Sequence, residues 1–160
     1  MDAHQEMRGN NQPNTEGGKT MSTEENKALS RRVIEELINE QKPALADELI
    51  DTNFVDHGIA GKGFKGPEGF KQYVTTLITA FPDLRLTIDD MVAEGDRVVM
   101  RLTARDTHNG DFMGIAPTGK KIAVQAMGID RFAGGKAVEL WLSIDGAGIL
   151  QQLGIVPPRR

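Results

Sequence analysis

Apolar side chains recur at helical spacing over residues 23–81 and at strand spacing over residues 84–144, so a change of period divides the chain. Leu29, Val33, Ile34, Leu37 and Ile38 form one stripe behind Ser22-Thr23-Glu24-Glu25, a run suited to capping a helix start. Pro43 fits the first turn of a second, short helix with Leu45, Leu49 and Ile50 on its buried side. Phe54-Val55-Asp56-His57 reads as a short strand-like piece, and the glycine-rich IAGKGFKGPEG stretch after it as a mobile lid or entry loop. Pro67 opens a third helix carrying Phe70, Tyr73, Val74, Leu77, Ile78 and Phe81, which Pro82 stops. Beyond it, residues 84–88, 98–107, 121–132 and 137–144 alternate as strands, with turns at Glu94-Gly95-Asp96 and Ala133-Gly134-Gly135-Lys136. Helices followed by an antiparallel meander imply the α+β class rather than a βαβ sheet.

A length of 160 residues suits one well-buried core. Residues 1–22 carry almost no apolar group to bury and are expected to form a disordered tail, with Met21 an alternative start; residues 23–157 form the domain. A net charge of -4 gives no basic face for a nucleic acid. The absence of cysteine removes disulfides, thiolate nucleophiles and Cys-based zinc sites. No apolar run approaches the roughly 18 residues of a membrane span, and no signal-peptide core is visible, so a cytoplasmic protein without membrane contact is expected.

The succession VDH, GPEGFKQYV, AFPDLRLTIDDM, GDRVVMR, DTHNGDFMGIAPTGKKI and GGKAVELW, followed by Asp145 and ILQQLG, closely resembles the SnoaL-like polyketide cyclases, also called ester cyclases. The resemblance covers about residues 23–156. It implies a cone of the nuclear-transport-factor-2-like (NTF2-like) type: a strongly bent antiparallel or mixed sheet wrapped against N-terminal helices around an apolar pocket. It also implies cofactor-independent acid/base chemistry on a small apolar carbonyl compound such as a polyketide, and a homodimer formed by the outer sheet faces. Isomerisation and epoxide hydrolysis are alternatives on this fold, as is non-catalytic binding of a lipophilic ligand.

On the last strand Trp141, Ser143 and Asp145 share one face, so if Trp141 lines the pocket, so does Asp145. A carboxylate there loses solvation, its pKa rises, and it can take and return a proton. The resemblance assigns that role to Asp145; the alternative is a cap on a helix over residues 146–153. His57 and His108 are further catalytic candidates, each also readable as a structural histidine. Gln125, Met127, Ile129 and Arg131 share a strand face and are candidate pocket residues, the first and last as donors to an enolate oxygen. Phe54, Tyr73 and Phe112 complete the expected lining. The histidines and carboxylates lack tight ligand spacing, so no metal is expected.

Overall fold

Ser22 starts the first helix of the computed structural model, which describes residues 20–58 and 63–157. Its hydroxyl accepts the Glu25 backbone N–H at 3.2 Å while the Glu25 carboxylate accepts the Ser22 N–H at 2.8 Å, satisfying two otherwise orphaned donors at the head of α1 (Thr23–Arg32). The helix continues into wider π-type turns over Val33–Asn39, where Glu40 N–H reaches Glu35 O and Lys42 N–H reaches Leu37 O. Asn39 then clamps the backbone of Leu86 in both directions, at 2.9 and 2.8 Å, fixing the helix end to the sheet.

A 3-10 turn (Pro43–Leu45) and a short α2 (Ala46–Leu49) lead into β1 (Ile50–Asp56). Ile50, expected on the helix, is extended at φ -111 and ψ 132 and pairs with Ala137. α3 (Gly66–Ala80) begins with Pro67 in its first turn, as expected. β2 (Arg85–Glu94), β3 (Arg97–Thr107), β4 (Lys121–Ala133) and β5 (Lys136–Ile144) form the antiparallel meander, and α4 (Gly146–Leu153) follows.

The sheet order is β1-β5-β4-β3-β2, and β1 lies parallel to β5, so the sheet is mixed. The helices cover one face and bury Val33, Leu37, Leu49, Phe54, Phe70 and Val74 against it. Each such side chain contributes roughly 1.5–3 kcal/mol of transfer free energy. A bulge between Ile88 and Asp90 resets β2, leaving Met91 and Ala93 packed on the core and Val92 outside.

The segment between β3 and β4 is pinned to the end of α3. Asn109 and Gly110 both donate to Ala80 O, at 3.0 and 2.9 Å. The approach is so close that a Cβ on Gly110 would lie 2.2 Å from Thr79 O, which no side chain tolerates. Among the described residues no helix is long and apolar enough to cross a membrane. The expected tail falls largely, and the centre of the expected lid (59–62) wholly, outside the described residues.

Candidate active site

Strand alternation decides which side chains meet the cavity between sheet and helices. On β4 the even-numbered residues Ile122, Val124, Ala126, Gly128 and Asp130 line it, and on β5 Leu140, Leu142 and Ile144 do. The rest of the cavity wall comes mainly from β1, β3, α3 and the π-turn segment, with Leu86, Phe112 and Ile149 from β2, the β3–β4 segment and α4, and among the described residues Asp106, Asp130 and Tyr73 are its only polar side chains.

This corrects the face assignment made from the sequence. Trp141, Ser143, Gln125, Met127, Ile129 and Arg131 are the odd-numbered partners and stand on the outer face, so none of them lines the cavity. Met127 and Ile129 remain 54% and 38% exposed. Arg131 is bound to Glu139 and lies near Asp96, holding Glu139 below the usual carboxylate range, with His57 adding to the effect. Phe54, Tyr73 and Phe112 do line the cavity.

Asp145 is exposed and outside the cavity. Its carboxylate accepts the Gly148 N–H at 2.9 Å as the N-cap of α4, and a Cβ on Gly148 would collide with it at 2.2 Å. Of its two readings the geometry carries the cap. His57 is a surface residue, stacked on Trp141 at 4.5 Å and bonded to Glu139 at 3.1 Å. His108 is fully buried, anchored by Thr118 through Nδ1, and lies beside the cavity-lining Phe81 at 5.5 Å. It is not itself part of the lining, and the structure does not bring the two histidines together. Among the described residues no group of three or more His, Cys, Asp or Glu side chains is arranged to hold a metal ion.

The groups that do meet the cavity are two carboxyls that sequence reading missed. Asp130 is 8% exposed, and its carboxyl receives the Ser30 hydroxyl of α1 at 2.8 Å, the only hydrogen bond to that carboxyl among the described residues. Burial pushes it up to about 6, against a smaller lowering by Ser30. Asp106, also 8% exposed, is pushed up to about 6 by burial and by the nearby charge of Asp83. Burial likewise pushes Tyr73 up to about 12, so its phenol stays protonated. The overlooked signal was a face comparison: Asp130 is the one charged residue on an otherwise apolar β4 face, opposite a face carrying Lys121, Gln125 and Arg131.

The fold recurs in solved structures. AclR, a candidate hydroxylase from Streptomyces galilaeus, superposes with a TM-score of 0.76 at 29% identity, covering 87% of each chain. IdmH, a candidate polyketide cyclase from Streptomyces antibioticus, gives 0.70 at 30% identity over 81% of this chain and 98% of its own. A candidate SnoaL-like polyketide cyclase from a Jannaschia species gives 0.78 at 21% identity over 88% and 100%, a likeness of fold. No curated protein sequence matches significantly. The fold is thus the α+β cone of NTF2-like proteins, as expected. Residues 28–153 match the family model described as SnoaL-like polyketide cyclase, and with that span covering nearly the whole domain the chain belongs to this family.

Proposed function

We propose that the protein catalyses proton transfer at a carbon next to a carbonyl in a largely apolar small molecule, with Asp130 as the acid/base. One observation carries this reading: a carboxyl set into an apolar cavity wall, oriented by Ser30 through one oxygen and raised to about 6. The carboxylate takes the proton from carbon, the C–H electron pair becomes the enolate double bond, and the carbonyl π pair moves to oxygen. Returning the proton elsewhere gives isomerisation; attack of the enolate carbon on a second carbonyl gives aldol cyclisation. Tyr73 lines the same cavity, and its hydroxyl, with no hydrogen-bond partner among the described residues, is a donor available to the enolate oxygen. Such chemistry requires no cofactor. Epoxide hydrolysis, which needs a positioned water and several polar partners, fits this sparsely polar wall less well.

The test is exchange of deuterium into the carbons flanking the carbonyl of 2-decanone, followed by mass spectrometry. Asp130→Asn is expected to slow exchange by at least about 100-fold with affinity little changed. Undiminished exchange in that variant overturns the assignment. The apolarity of the wall favours a second reading, a non-catalytic binder of lipophilic ligands, which predicts tight binding with no exchange above background.

The outer sheet face supports the proposal of a homodimer. Val92, Val99, Ile129 and Trp141 stand side by side across four strands in direct register, an apolar row that no helix among the described residues covers. Light scattering is expected to give twice the 17.5 kDa chain mass at micromolar concentration. A monomer contradicts it.

A further inference from the structure

Asp106 and Asp130 border the same cavity but stand at opposite ends of one strand pair. Val98 pairs with Asp130 and Asp106 with Ile122, so eight residues separate the two carboxyls along β3 and β4. At about 3.3 Å per residue the separation is at most ~26 Å, less wherever the strands bend. Between them the strands offer the cavity only Met100, Leu102, Ala104, Val124, Ala126 and Gly128. The cavity is therefore elongated, apolar along its length and acidic at each end.

The end not used by the proposed chemistry is unfinished. Asp106 also borders an outer cleft containing Asp83, Arg85, Arg105 and Lys121, yet among the described residues it forms no ion pair or side-chain hydrogen bond. Its Oδ1 is sealed from solvent and has no partner. A buried acceptor left this way is costly unless something completes it. Two residues further on, His108 receives the Thr118 backbone N–H on Nδ1 at 3.3 Å, so in the neutral ring Nε2 carries the proton. That Nε2–H is also buried without a partner, and its ring neighbours Phe81, which packs on Phe112 at 4.9 Å at this end of the cavity. One acceptor and one donor thus stand unpaired within two residues of each other. Of the two, only Asp106 borders the cavity, and a hydroxyl is the uncharged donor that completes its acceptor without the desolvation cost of carrying an ammonium into an apolar cavity.

We infer that the Asp106 end of the cavity receives a hydroxyl group of the ligand, which donates to Asp106, so that the substrate is an elongated, mainly apolar molecule carrying a hydroxyl remote from its reacting carbonyl. The substrate half of this inference rests on the assignment of proton transfer to Asp130; the hydroxyl site does not. Isothermal titration tests it with 2-ketones of 8 to 14 carbons, each as the parent ketone, the terminal alcohol and the methyl ether of that alcohol. The wild-type protein is expected to bind one length of alcohol at least about tenfold more tightly than its parent and its ether, which has lost the donor. Asp106→Ala is expected to abolish this preference, and Asp106→Asn, which keeps an acceptor oxygen, to retain part of it. Equal affinity for alcohol, ether and parent overturns the inference whether or not Asp106→Ala folds, as does a preference that survives Asp106→Ala. A preference for the alcohol combined with deuterium exchange undiminished in Asp130→Asn supports the hydroxyl site and sinks only the acid/base assignment.

Discussion

The two faces of β4 and β5 are built from adjacent residues of the same strands, yet they place a carboxyl in opposite chemical states. Inward, Asp130 meets apolar neighbours and a single hydroxyl, and burial raises it to about 6. Outward, Glu139 on the neighbouring strand meets Arg131 and His57 and is held below its ordinary value. Environment rather than residue type raises one carboxyl and lowers the other, and the proposed function makes the raised one the proton carrier. Which environment a residue meets depends on strand parity, because a shift of one position exchanges every inward side chain for an outward one.

The largest expected effect contrasts the two aspartates. Asp130→Asn is expected to lower ketone exchange at least about 100-fold, whereas Asp145→Asn, outside the cavity, changes the rate per folded molecule less than about threefold. Comparable losses in both would erase the distinction between cavity and cap. Wild-type exchange should also rise with pH through about 6 as Asp130 ionises.

The same parity should appear in stability. Met100, 3% exposed on the inner face, is expected to cost about 2–4 kcal/mol on truncation to alanine in urea unfolding. Gln125→Ala, on the exposed outer face of the adjacent strand, should stay within about 0.5 kcal/mol.

Titration gives a contrast of sign. Because the folded-state pKa of Asp130 lies above the ordinary 3.8, its contribution is most favourable below pH 4 and declines as pH rises towards about 6, where the folded protein also ionises. The full decline approaches ~3 kcal/mol at 1.36 kcal/mol per unit, and Asp130→Asn should remove it from the pH dependence of unfolding. Glu139, lowered instead, contributes above the ordinary 4.5, and that contribution is lost as pH falls through its folded-state pKa. Glu139→Gln should therefore lower stability at neutral pH and matter less in acid. A modest effect belongs to the α4 cap: Asp145→Ala is expected to cost about 1 kcal/mol, with Asp145→Asn closer to wild type.

Local signals determined much of this molecule from sequence alone. The capping run at Ser22, Pro67 in the first turn of α3 and the period-two alternation after Pro82 depend on neighbours a few residues away, and each appears in the fold. The family motifs placed the chain among the SnoaL-like cyclases for the same reason. Tertiary structure alone decided the parallel pairing of β1 with β5, since Ile50 is equally apolar on a helix or in a strand and only Ala137, 87 residues away, settles it. It also decided which strand face the helices cover. Alternation states that Trp141 and Asp145 share a side with each other and not with Leu142; it does not state which side is inside, because a tryptophan suits a cavity wall and an outer face equally well. Summing the whole face would have pointed inward to Ile122, Val124, Ala126, Gly128 and Asp130. The partners that give Asp130 its chemistry still come from elsewhere in the chain. Ser30 lies 100 residues away on α1, and no local pattern carries a contact formed only when that helix packs across the sheet.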